Sequence, residues 1–175
     1  CSDAAINYNL VNNVANTGNI VYKRNAANVK ALDYVYWSSP VANYSVNNIT
    51  APLAPGPIYT WNPSLPNPNN GQGIWQSASG TMTIGKGYIV RAPSSFTATP
   101  ATLNGSFTGV PNNGTITMAI SRGSYQGAPY AGTNGTQITN LSDNFNLIGN
   151  PYPSAIRGSQ FLFDNNTKIE GNIRV

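Results

Sequence analysis

The hydrophobic pattern along this chain is that of strands. Residues 32–39 carry it most clearly: β-branched and aromatic side chains alternate, so that Tyr34 and Tyr36 fall on one face and Val35 and Trp37 on the other, until Pro40 stops the run. Upstream, Ile20-Val21-Tyr22 reads as an entry edge strand closed by Lys23-Arg24. Residues 81–84 and 87–91 predict two strands joined at Gly85-Lys86, and residues 96–108 and 115–120 predict further strands, with Asn104-Gly105 and Asn113-Gly114 as hairpin turns. The second turn is the better signal, because Ile116, Met118 and Ile120 alternate after it. Helical pattern is confined to residues 159–165, one or two turns with Ser159 as N-cap and Phe161 and Leu162 covering the end of a sheet. The expected fold is all-β: one antiparallel, sandwich-like module over residues 1–175, with long Pro-, Gly- and Asn-rich loops and at most one short helix.

Two stretches interrupt the alternation. Pro52, Pro55, Pro57, Pro63, Pro66 and Pro68 crowd residues 49–73, which predicts a loop or polyproline-like path broken only by a short strand at Ile58-Tyr59-Thr60-Trp61. Long ordered loops are disproportionately functional, and this one carries Tyr59 and Trp61 with Trp75 just beyond, so these three residues are the candidate stacking platform for a glycan or a partner. The competing reading has both indoles capping a core beneath the loop. Trp37, placed inside the best strand, is expected in the core, and Trp61 or Trp75 partly exposed.

The second stretch runs from Phe145 through Ile156. Phe145, Leu147 and Ile148 predict a short central strand, followed by a rigid corner. Its structural motif is Asn146, Gly149, Asn150, Pro151, Tyr152 and Pro153: Gly149 and Asn150 tolerate unusual backbone angles, and the two prolines fix φ on either side of Tyr152. Such a corner serves to hold Tyr152 against a core, with a cis bond expected at Tyr152-Pro153. Residues 121–140, rich in Gly, Asn and Thr, form a surface excursion, and residues 172–175 open one more strand. The chain therefore reads as a slice of a longer polypeptide, joined to neighbouring domains.

Composition narrows the function. Charged residues are only 8% of the 175, against roughly a quarter in ordinary globular proteins, while 40% are hydrophobic. That balance predicts a folded domain with a polar but non-ionic surface, since disorder needs low hydrophobicity and high net charge. The net charge of +4 is spread thinly, with Lys23-Arg24 the only adjacent basic pair, so nucleic acid is not an expected partner. No apolar run reaches the roughly 20 residues that a membrane-spanning helix needs, and membrane insertion is not expected. Cys1 is the sole cysteine, which leaves no internal disulfide. Cys1-Ser2-Asp3 is similar to the start of a mature lipoprotein, but no acidic run follows Asp3, and Cys1 reads as an ordinary residue.

Catalytic chemistry is scarce. With no histidine, the Ser-His and Cys-His nucleophile systems and His-containing metal sites are excluded, and one cysteine cannot make a thiolate cluster. Asp3, Asp33, Asp143, Asp164 and Glu170 are the whole carboxylate supply, and a glycosidase needs two of them facing each other across a cleft; Asp33 and Asp143 are the only pair worth testing. No acidic cluster offers a calcium loop. Gly85-Lys86-Gly87 leads into a strand and lacks the following Ser or Thr, so it is not a phosphate loop. No enzyme activity, metal or cofactor is expected. The Asn-X-Ser/Thr triplets follow from an Asn- and Thr-rich composition.

Asn146-Leu147-Ile148-Gly149-Asn150-Pro151-Tyr152-Pro153-Ser154 resembles a segment found in large secreted surface proteins of gliding and related Bacteroidota, exported by the type IX secretion system. Other pieces agree in the same order: Gly18-Asn19-Ile20-Val21-Tyr22-Lys23-Arg24, Asp33-Tyr34-Val35-Tyr36-Trp37-Ser38-Ser39-Pro40-Val41, Gly85-Lys86-Gly87-Tyr88-Ile89-Val90-Arg91-Ala92-Pro93 and Phe107-Thr108-Gly109-Val110-Pro111-Asn112-Asn113-Gly114. The resemblance covers nearly the whole chain. It implies a secreted or cell-surface location, with the type IX secretion machinery and neighbouring domains of the same polypeptide as partners and surface glycans as a further one. The expected function is a non-enzymatic structural or adhesive module of a large extracellular protein. The alternative is a carbohydrate-binding module of a secreted polysaccharide-degrading enzyme, using Tyr59, Trp61 and Trp75.

Overall fold

Strand alternation is realised as two antiparallel sheets in the computed structural model, which describes residues 15–68, 71–123, 130–131, 137–138, 145–169 and 173. The smaller sheet pairs β1 (Ile20–Val29) with β6 (Ala101–Gly109), in register from Ile20 opposite Gly109 to Ala26 opposite Leu103. The larger has the order β2-β5-β3-β4, built from β2 (Tyr34–Trp37), β3 (Ile58–Pro66), β4 (Gln72–Ser77) and β5 (Tyr88–Arg91). A two-residue pair, β7 (Tyr130–Ala131) with β8 (Gln137–Ile138), lies in the excursion of residues 121–140, whose remainder is largely outside the described residues. Among the described residues one α-helix, α1 (Gly158–Asp164), completes an all-β, sandwich-like architecture.

The core lies between the sheets. On β6, Leu103, Gly105 and Phe107 occupy alternate positions and are buried, the period of two that a half-covered strand requires. From the larger sheet Trp37, Ile58, Tyr88 and Val90 meet them, with Trp37 and Phe107 rings 6.0 Å apart. Trp37 is core, as its strand position predicts. The segment between β2 and β3 adds Val41, Tyr44, Val46 and Ile49, all buried, with the Tyr44 ring 4.8 Å from Phe107.

Several sequence expectations are corrected by this arrangement. Lys23-Arg24 does not end β1, because Arg24 and Asn25 stay paired with Gly105 and Asn104. Asn104-Gly105 is consequently strand and not a hairpin turn. Gly105 stands there because the Trp37 indole lies against it: a Cβ would come within 2.4 Å of the ring. Residues 115–120 form no strand, and Thr81 makes only an isolated bridge to Ser45. Residues 49–73 are not mainly loop: β3 runs on through Pro63 to Pro66 and turns back as β4 in a hairpin. The prolines are tolerated because regular pairing lapses between Asn62 and Pro66, where no backbone N–H is demanded of Pro63. α1 is preceded by Arg157 and not Ser159 at its N-cap, without a side-chain capping bond, and none of its residues is fully buried.

Residues 145–148 are not a central strand. They make a single bridge, Ile148 with Lys86, and both Phe145 and Ile148 are exposed. The chain here is a strap whose backbone pairs with the residues leading into β5, the Gly87 N–H donating to the Leu147 carbonyl and the Gly149 N–H to the Gly85 carbonyl, and the corner after it is a clamp. Neither Gly149 nor Asn150 has a left-handed φ; Gly149 is required because a Cβ would lie 2.2 Å from the Ser38 side chain and 3.0 Å from the Lys86 carbonyl. Tyr152-Pro153 is trans, and the cis bond among the described residues is Ala51-Pro52. The reversal at Tyr152 is made instead by Asn150, whose Oδ1 accepts the Tyr152 N–H at 3.0 Å while its Nδ2 donates to the Ser154 carbonyl at 2.6 Å.

Candidate functional site

Register decides which side chains share the outer face of the larger sheet. Tyr34 lies opposite Arg91 and Tyr36 opposite Ile89 across β2 and β5; Ile89 lies opposite Tyr59 on β3, and Trp61 opposite Trp75 on β4. Residues directly opposite point to the same side. The face away from the core therefore carries Tyr34, Tyr36, Tyr59, Trp61 and Trp75, drawn from three of the four strands, with Ile89 in the floor between them.

These rings are in contact or close to it. Trp61 and Trp75 meet edge to face with centroids 5.1 Å apart, and Tyr34 and Tyr59 lie 6.1 Å apart across β5. Tyr34, Tyr36, Tyr59, Trp75 and Ile89 line a shallow groove of about 450 Å³. Tyr34, Tyr36 and Trp75 are exposed, at 43%, 65% and 41%, whereas Ile89 is buried beneath them. No carboxylate lines the groove, and Arg91, at the Tyr34 end, is the charged side chain that register brings to this face.

Hydroxyl use separates these tyrosines from the structural ones. The Tyr44 and Tyr152 hydroxyls donate to the carbonyls of Ser106 and Gly114, and the Tyr88 hydroxyl accepts the Thr83 N–H at 2.9 Å. Burial pushes the Tyr44 hydroxyl up to about 12. Tyr34, Tyr36 and Tyr59 have no hydrogen bond from their hydroxyls to the described residues. An apolar floor with unengaged phenol groups above it can stack on the apolar face of a sugar ring and exchange hydrogen bonds with its hydroxyls.

The strap of residues 145–149 borders the larger sheet beside this face. The Gly149 backbone lies against Ser38, Leu147 packs on Gly87, and the Phe145 carbonyl accepts the Trp61 indole N–H at 2.9 Å. The strap thus passes Ser38 just after β2, Gly87 just before β5 and Trp61 within β3. Asn146 fastens it, donating to the Ser121 carbonyl and accepting the Ser121 N–H. Asn112 joins the corner to β2's exit by donating to the carbonyls of Ser39 and Pro151. Asn146, Gly149 and Asn150 thus tie the strap to Ser121 and Ser38, and Pro151, Tyr152 and Pro153 form the corner held by Asn112 and the Gly114 carbonyl.

The three residues singled out from sequence, Tyr59, Trp61 and Trp75, are brought together. The reading that both indoles cap a core is corrected: Trp75 is exposed and Trp61 half-buried on the outer surface, the indole of Trp61 lying over Gly73, where a Cβ would come within 2.1 Å. Sequence reasoning missed Tyr34, Tyr36 and Ile89 as parts of the site. The alternation in residues 32–39 marked the two tyrosines as sharing a face, but nothing local connects that face to β3. Asp33 accepts the Lys30 backbone N–H at 2.8 Å and so closes a turn; Asp143 lies outside the described residues. Among the described residues, no group of three or more His, Cys, Asp and Glu side chains could hold one metal ion.

The family model for a domain of unknown function, DUF8693, matches residues 3–175. No curated protein and no solved structure matches the chain.

Proposed function

The chain belongs to the DUF8693 family of domains, and from that premise we propose that it is a non-enzymatic, adhesive module of a large secreted surface protein, which holds saccharide chains on the outer face of its larger sheet. The observation that carries the reading is the aromatic face itself: five aromatic side chains from three strands, gathered beside a groove without carboxylates, with three phenol hydroxyls unengaged among the described residues. A soluble domain rarely leaves so much contiguous aromatic surface open without a partner for it. The weak charge of the chain supports a neutral ligand, because stacking and hydroxyl hydrogen bonds lose little strength in salt.

The secreted, cell-surface setting and the type IX export route rest on the motifs from Gly18 to Ser154 that resemble such cargo. In that setting the domain works beside neighbours of the same polypeptide. A carbohydrate-binding module attached to a polysaccharide-degrading enzyme would use the same face; the two readings differ in what the neighbouring domains are.

A glycan array probed with the wild-type chain and with Trp75→Ala tests the proposal. Trp75 is exposed, so its truncation leaves the core intact. Wild-type binding to a saccharide class that falls about tenfold or more in the variant, the equivalent of about 1.4 kcal/mol, supports it. Binding unaffected by Trp75→Ala, or no binding to any saccharide, contradicts it.

A further inference from the structure

The shape of the aromatic face selects among saccharides. Resting on the proposal above, we infer that the face takes single, freely rotating glycan chains and not the flat surface of a crystalline polysaccharide. A crystal presents sugar rings in one plane, and binding to it requires aromatic rings that lie in one plane too. Here the rings do not. Trp61 and Trp75 are inclined at 67° to each other, and Tyr34 and Tyr59 at 54°.

A single chain can lie in the groove of about 450 Å³. A free chain can also rotate about its glycosidic bonds, so successive sugar rings can follow the turn of successive aromatic rings from Tyr36 and Tyr34 to Tyr59 and Trp75.

The test compares soluble and crystalline polymers on one preparation. Affinity electrophoresis through gels containing xyloglucan, mixed-linkage glucan or mannan measures retention by soluble chains, and pull-down on microcrystalline cellulose and crystalline chitin measures binding to flat surfaces. The expected result is retardation by at least one soluble polymer, lost in Trp75→Ala and in Tyr36→Ala, with no depletion by either crystal. Both positions are exposed, and two separate variants guard against one of them misfolding. Depletion by a crystal that is abolished in Trp75→Ala overturns this inference while leaving the saccharide-binding function in place. Failure to bind any soluble or crystalline polymer overturns that function, and this inference with it.

Discussion

Phe107→Ala is the sharpest probe of the sandwich, because Phe107 is the side chain through which the smaller sheet meets the larger. It is 1% exposed, its ring lies 6.0 Å from Trp37 and 4.8 Å from Tyr44, and it follows Gly105 on the inward face of β6. Truncation removes a whole buried ring between two other rings that cannot both move in. Phe→Ala changes in such cores cost about 3–5 kcal/mol, the transfer loss plus the cavity left behind. Against a total stability of about 5–15 kcal/mol this is about a fifth or more of the whole. At about 2–4 °C per kcal/mol for a chain of this size, Tm should fall by about 6–20 °C. Urea unfolding followed by tryptophan fluorescence reads the effect, with Tyr36→Ala as the surface control, since Tyr36 is 65% exposed and should change stability by no more than about 0.5 kcal/mol. If Phe107→Ala costs under about 1 kcal/mol, or no more than Tyr36→Ala, the two sheets do not pack through β6 as described.

Two further outcomes are expected. The folded Tyr44 hydroxyl titrates at about 12, above the roughly 10 of an unfolded tyrosine, so the folded state keeps its proton more tightly; the stabilisation is intact below pH 10 and is lost as pH rises towards 12. Urea midpoints should therefore drop across that window in the wild-type chain and drop less in Tyr44→Phe, and equal drops would remove Tyr44 as the cause. Gly149→Ala forces a methyl to within 2.2 Å of the Ser38 side chain and should cost about 1–3 kcal/mol by overpacking, whereas a neutral result in the same assay would mean that the strap is not pressed onto the end of β2.

Local pattern revealed the fold where each strand's own residues carried it. The alternation of Tyr34, Val35, Tyr36 and Trp37 separated an outer from an inner face before any pairing was known, and the structure keeps that division. It failed where a partner overrides a local signal. Asn104-Gly105 has the composition of a turn, yet β1 on one side and the Trp37 indole on the other hold it as strand. Ile116, Met118 and Ile120 alternate but find no ladder, and the apolar residues 145–148 make one isolated bridge, Ile148 with Lys86, in place of a strand. β4 escaped notice because its Gly73-Ile74-Trp75-Gln76 follows a glycine- and proline-rich turn and shows no clean alternation. The site was half legible for the same reason. Tyr59, Trp61 and Trp75 belong to one hairpin and are near in sequence, whereas Tyr34 and Tyr36 reach them only through β5, which follows some fifty residues after β2 and joins β2 to β3 by register alone.

The central claim, that the aromatic outer face is the binding surface, is tested most directly by the three indole N–H resonances in a nitrogen-15 correlation spectrum, with the highest-affinity oligosaccharide from the array as titrant. Trp75 and Trp61 lie on the outer face and Trp37 in the core, so each indole reports on its own side of the sheet. The account predicts that the Trp75 resonance moves most, that Trp61 moves with it while keeping its bond to the Phe145 carbonyl, and that Trp37 stays in place. A saccharide that binds and leaves Trp61 and Trp75 unmoved contradicts the account.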